Sequence, residues 1–269
     1  MGTPLGSTLP VERVDIFDRV VVEVDETPES LVAAVQAKCL VDPEGQLELL
    51  GVLERASASH AGFAAIHAAD GAEAEIATAL ERAKRLLEPT SVRFVSGRAR
   101  NALLAEAAAV RATLVAVGLH PHRRTTAKLL GTLELAVLRE APCSVLFARP
   151  GWGATKPKTI VVGIDGSQES MLAKRAAQAL AERLGAELEV VVALGGKPLE
   201  DVFDPENADA LIDPRDPASA LAAAGSECDL IVVGHRGAHA APRLGRVGER
   251  VVYSSRSSVL VVRPSAERP

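Results

Sequence analysis

Val21-Val22-Glu23-Val24-Asp25-Glu26-Thr27-Pro28-Glu29-Ser30 and Val161-Val162-Gly163-Ile164-Asp165-Gly166-Ser167-Gln168-Glu169-Ser170 are two versions of one phrase, 140 positions apart. Each is a β-branched apolar run that stops at an aspartate and passes through a short polar turn, the pattern of a strand that feeds a helix. Two further landmarks recur in the same order. Leu114-Val-Ala-Val-Gly118 returns as Leu230-Ile-Val-Val-Gly234, at an offset of 116. Gly131-Thr132 with Pro142-Cys-Ser-Val-Leu-Phe147 returns as Gly245-Arg246 with Arg256-Ser-Ser-Val-Leu-Val261, at an offset of 114. A sequence that repeats itself this way contains one structural unit twice. The fall in offset locates a deletion of 24 residues between the first and second landmarks of the second copy, about one helix and a loop, and of two more before the third.

Within the first copy the elements alternate. Strands are expected at Arg19–Val24, Leu47–Leu53, Val92–Val95, Leu114–Val117 and Ser144–Phe147, and helices at Leu31–Leu40, Ala72–Leu87, Ala102–Val110 and Leu129–Arg139. Ala72–Leu87 places Ile76, Leu80, Ala83 and Leu87 on one face between charges and ends before Pro89, as an amphipathic helix should. The second copy offers strands at Thr159–Ile164, Leu188–Ala193, a weak Ala210–Ile212, Leu230–Val233 and Ser258–Val262. Where the first copy has its amphipathic helix, the second has Gly195–Asn207, polar and interrupted by two prolines, which a long helix does not tolerate. Strand–helix alternation requires crossover connections and hence parallel sheets covered on both faces. The expected fold is therefore α/β, with two tandem open five-stranded parallel sheets and flanking helices, the second copy truncated. Arg149–Lys158 is rich in Gly and Pro without an apolar period, which sets the domains at 1–150, with a tail over 1–17, and 151–269, joined by a linker at about 149–158.

The bulk properties agree. The 269 residues are 48% hydrophobic and 24% charged, enough apolar surface to offset chain ordering. Only 3% are aromatic, so the cores must be Val, Leu, Ile and Ala, and a ring for stacking a base is scarce. The net charge of −5 supplies no field for a phosphate backbone, so nucleic acid is not an expected partner. Three dispersed cysteines, Cys39, Cys143 and Cys228, suit a reducing compartment rather than a disulfide or thiolate–metal framework. No basic leader with an apolar core and no long uncharged apolar run is present, so a cytoplasmic protein without a membrane segment is expected.

In open parallel sheets ligands gather outside the carboxyl ends of the strands, where chain direction switches. Three segments converge there in each half: the aspartate turn (Asp25 and Thr27; Asp165, Gly166 and Ser167), the glycine ending the fourth strand (Gly118; Gly234), and the glycine that opens the last helix (Gly131-Thr132; Gly245-Arg246). Free N–H groups and the helix dipole at that last point favour an anion.

These landmarks resemble the universal stress protein family in its tandem form, a Rossmann-like fold of the adenine nucleotide alpha hydrolase-like type, from about residue 18 to 264. The resemblance implies a stress-response protein that binds and signals rather than catalyses. It implies ATP or another adenine nucleotide as ligand, with magnesium only alongside it. Nucleotide-binding members carry Gly-x-x-Gly, nine residues, then Gly-Ser/Thr, with the first-strand aspartate beside the adenine. In the first half Gly118-Leu-His-Pro121 keeps the nine-residue spacing to Gly131-Thr132, but Pro121 lacks an N–H and Glu26 adds a carboxylate at the mouth. His120, His122, Arg123, Arg124 and Lys128 make that loop locally basic, reading either as a phosphate contact or as a solvated charged loop. In the second half Gly234-His-Arg236-Gly237 fits, yet only seven residues separate it from Gly245, and Arg246 replaces the hydroxyl residue. Arg246 either pairs with a phosphate or occupies its place. The alternative is a scaffold with degenerate nucleotide sites, in which the dimer surface matters. No metal-ligand spacing or nucleophile motif is present, and Asp25 and Asp165 are the sole candidate bases for slow ATP hydrolysis. The resemblance further implies that Ser144–Phe147 and Ser258–Val262 pair across the halves as an intramolecular pseudo-dimer, with homodimers of the whole chain a further option.

Overall fold

The computed structural model describes residues 16–54, 63–119, 132–152, 156–196, 198, 209–235 and 246–264. The first half runs β1 (Arg19–Glu23), α1 (Pro28–Leu40), β2 (Gln46–Leu53), α2 (Phe63–Leu87), β3 (Ser91–Ser96), α3 (Ala99–Ala109), β4 (Leu114–Gly118), α4 (Thr132–Glu140) and β5 (Ser144–Ala148). The second runs β6 (Thr159–Ile164), α5 (Gln168–Leu184), β7 (Glu187–Ala193), β8 (Leu211–Asp213), α6 (Pro217–Ala224), β9 (Leu230–Gly234), α7 (Arg246–Ser254) and β10 (Ser258–Val262). All ten expected strands are found. Lys197 and residues 199–208, most of the Gly195–Asn207 stretch where the second copy is expected to lack the helix, lie outside the described residues. Three helices, α1, α2 and α3, start earlier than expected. Thr27 caps α1 and Pro28 fills its first turn, where a missing N–H costs nothing. α2 continues back to Phe63 through an Ala-rich stretch, since alanine is the best helix former even without an amphipathic stripe.

The strands form one ten-stranded sheet in the order β3-β2-β1-β4-β5-β10-β9-β6-β7-β8. Read outward from the centre, both halves have the same order and parallel register: Glu23 lies beside Leu50 as Gly163 lies beside Val191, and Val22 beside Ala116 as Val162 beside Val232. The halves meet through β5 and β10, which pair antiparallel with Val145 opposite Val261, Leu146 opposite Leu260 and Phe147 opposite Val259. Two apolar strands that would be aggregation-prone edges cover each other. Alternate strand residues point to opposite faces. Val20, Val22 and Val24 pack with α1 and α2, while Val21 faces the layer that holds α3 and α4.

The joint has pseudo-twofold symmetry. Arg149 follows β5, and its Nη2 donates to the carbonyl of Val252 in the last turn of α7 at 3.0 Å, while its backbone N–H donates to Ser258 Oγ. Arg263 follows β10, and it does the same to Leu138 in α4 (2.5 Å) and to Ser144 Oγ. Each half thus places a guanidinium on the negative end of the other half's last helix. The start of the expected linker is held as well. Trp152 is buried and donates Nε1–H to Ser258 Oγ at 3.2 Å, and Gln36 of α1 joins the same network through Ser258 and the Arg149 carbonyl.

Candidate functional site

The carboxyl ends of β1 and β6 lead into matching turns. Asp25 Oδ1 accepts from the backbone N–H of Thr27 (2.9 Å) and from its Oγ1–H (2.5 Å). Thr27 Oγ1 in turn accepts from the Ser30 N–H and caps α1. Asp165 Oδ1 takes the same pair of bonds from Ser167 at 3.1 and 2.6 Å, and Ser167 caps α5. The aspartate and hydroxyl residue therefore form a side-chain turn that sets the helix N-terminus, a device worth about 1 kcal/mol at the cap. Gly166 stands at φ +78°, a left-handed conformation suited to glycine. Glu26 takes its place in the first half without a positive φ.

Gly118 and Gly234 have a backbone reason to be glycine. A Cβ on Gly118 would come within 2.5 Å of the Glu29 carbonyl, and one on Gly234 within 2.7 Å of the Glu169 carbonyl. The fourth strand of each half ends against the first turn of the first helix, and that contact fixes the depth of the mouth. Sequence reading put both glycines at the ligand end of the sheet; their packing role became visible once the two elements were in place.

In the second half Asp165, Ser170, Gly234 and Gly248 border one slot with Gly163 and the apolar Val191, Pro217, Leu221 and Val247. Its volume is about 70 Å³, small beside the ~300–1,000 Å³ of ordinary ligand pockets. Leu221 makes the floor: its methyl groups lie 2.7 and 2.9 Å from where a Cβ on Gly163 would stand. Around Gly248 there is open space.

The first half differs at those two glycine positions. Sheet register puts Glu23 where β6 has Gly163, and the start of α4 puts Glu134 where α7 has Gly248. Glu23 is 6% exposed and Glu134 8%. Burial pushes the Glu23 carboxyl up to about 8, and repulsion from Asp25, Glu134, Glu26 and Glu54 adds to it. Reading the chain by landmarks passed over Glu23, although an acidic residue in the middle of a valine strand is itself a signal. Asp25 and Thr27 line a wider cleft of about 670 Å³ toward α2, with Glu26, Glu75, Thr78 and Arg82; its Val24, Asp25 and Ser30 correspond to Ile164, Asp165 and Ser170 of the second-half slot.

Gly131, Arg236, Gly237 and Gly245, together with Pro121 and the basic loop from His120 to Lys128, lie outside the described residues. Thr132 and Arg246 open α4 and α7. Among the described residues no group of three or more His, Cys, Asp or Glu is arranged to hold a metal ion, and no helix is long and apolar enough to cross a membrane. The cysteines are free thiols, and burial raises Cys143 to about 12 and Cys228 to about 11, well away from nucleophilic thiolates.

The repeated aspartate turn, the strand order and the glycine contacts together define the unit, and a family description matches it over residues 16–149 and again over 206–263. The chain belongs to the universal stress protein family. The second match begins after β7, so the Asp165 turn joins the family unit through its structural correspondence with the Asp25 turn. A universal stress protein from Archaeoglobus fulgidus DSM 4304 superposes with a TM-score of 0.70 at 18% identity, over 91% of this chain and 98% of its own. A functionally unknown protein from Pseudomonas aeruginosa PAO1 gives 0.63 at 17%, over 93% and 94%. A universal stress protein solved in complex with cAMP matches 49% of this chain and 96% of its own, at 24% identity and a TM-score of 0.34. No curated protein sequence matches this universal stress protein.

Proposed function

We propose that this tandem universal stress protein is a cytoplasmic stress-response protein that acts by binding and signalling, with each half (1–150 and 151–269) one domain and an adenine nucleotide held on the second. The observation that carries the reading is the slot at the carboxyl ends of β6 and β9. There Asp165, Ser170, Gly234 and Gly248 meet apolar walls at the point where an open parallel sheet takes ligands. A base edge or ribose entering beside Asp165 would leave its phosphates over the N-terminus of α7, where Arg246 stands, with magnesium bound through the phosphates alone. The small volume favours a weakly held ligand whose entry needs Leu221 to turn aside.

A scaffold without nucleotide is the second reading. It is favoured by the internal use of the expected site residues: both aspartates are engaged in their own turns and both strand-ending glycines are required by packing. Native purification followed by denaturation and mass spectrometry of the supernatant, with titration calorimetry using ATP and magnesium, separates the two. Released ATP, ADP or AMP and a saturable heat support the nucleotide reading; neither signal leaves the scaffold.

A further inference from the structure

Gly163 and Gly248 of the second half correspond to Glu23 and Glu134 of the first. The exchange is of volume as well as charge. Glycine at both positions leaves the slot open above Gly248, whereas in the first half two glutamate side chains, each less than a tenth exposed, stand at the same register positions. Burial first, and then the charges of Asp25, Glu134, Glu26 and Glu54, keep the Glu23 carboxyl protonated up to about pH 8. A phosphorylated ligand entering there would have to displace two buried side chains, Glu23 as a neutral carboxyl below about pH 8, and place its own negative charge near the carboxyl groups of Glu134, Asp25, Glu26 and Glu54. Like-charge juxtaposition of that kind costs several kcal/mol.

We propose that Glu23 and Glu134 are specificity-determining residues that close the first half to anionic ligands, so that the chain takes one nucleotide, in the second half, despite its twofold architecture. The inference rests on the nucleotide reading above. It assigns to the first half a different occupant of the equivalent space: the protein's own carboxyl groups.

The test is the number of ATP molecules bound per chain, measured by equilibrium dialysis with radiolabelled ATP and magnesium on the full-length protein. The wild type is expected to bind one. Gly248→Glu adds the first half's carboxyl where a Cβ meets nothing within 4 Å, at a helix N-terminus that favours an acid, so the fold should hold while ATP affinity falls about 100-fold or more. Glu23→Gly combined with Glu134→Gly should raise the count toward two. Should that double variant be poorly folded, Gly248→Glu alone decides: persistent binding of one ATP would place the ligand elsewhere and overturn the proposal. Two ATP per wild-type chain would overturn it while leaving the nucleotide reading intact. No binding by the wild type would remove both.

Discussion

Replacing Glu23 by Gln should free the protein from a pH-dependent penalty built into β1. Burial among Asp25, Glu26, Glu54 and Glu134 raises the Glu23 carboxyl from its ordinary 4.5 to about 8. Below pH 4.5 the carboxyl is protonated in both folded and unfolded chains and contributes no difference. Between 4.5 and 8 the folded protein keeps a proton that the unfolded chain gives up, so stability falls as pH rises, and above 8 the loss is complete. At ~1.4 kcal/mol per pH unit the full loss is about 5 kcal/mol, large against the ~5–15 kcal/mol that hold an ordinary domain together. Gln keeps the shape and a neutral amide, so Glu23→Gln should match the wild type near pH 4.5 and exceed it by up to about 5 kcal/mol at pH 9. Urea unfolding at several pH values, followed through the single buried Trp152, measures the difference. Parallel pH profiles for the two proteins from pH 5 to 9 would refute the reasoning.

Arg149→Ala and Arg263→Ala should each cost about 1.5–3 kcal/mol, the worth of a hydrogen bond to a charged group, because each removes a guanidinium from a helix carbonyl end across the joint; chemical denaturation of the single variants should give similar losses. Gly234→Ala forces a Cβ to within 2.7 Å of the Glu169 carbonyl and should push α5 away from β9, lowering Tm and slowing no reaction in particular; Gly248→Ala, which meets open space, should leave Tm within a degree or two and serves as the control in the same thermal melts. Residues 156–269 expressed alone would bare β10, so light scattering should find dimers or aggregates, and a stable soluble monomer would argue that β5 is not needed to cover it.

Much of the architecture was legible because it repeats. The valine runs ending at Asp25 and Asp165, and the shared Leu-x-x-Val-Gly strands, imply parallel strands through the need for crossover connections, whatever the intervening loops do. Helix limits were less legible: Thr27 and Pro28 add a first turn that apolar periodicity does not see. The candidate site was legible as a place, but the difference between its two copies was not. Gly163 and Gly248 are 85 positions apart in sequence, as no local pattern records, and become neighbours through the β6 register and the start of α7.

Sequence alone therefore determined a doubled α/β unit and its shortened second copy, and it marked one end of the sheet as the candidate site, since periodicity and turn chemistry are local properties of the chain. Tertiary structure decided the rest. It merged ten strands into one sheet by pairing β5 with β10. It turned the Asp and Gly signals into contacts that seat the first helix of each half. It also placed buried Glu23 and Glu134 in one half at the positions where the other half has Gly163 and Gly248. The physical reason is that burial, and with it the cost of a carboxylate or the space for a ligand, belongs to residues brought together from distant parts of the chain.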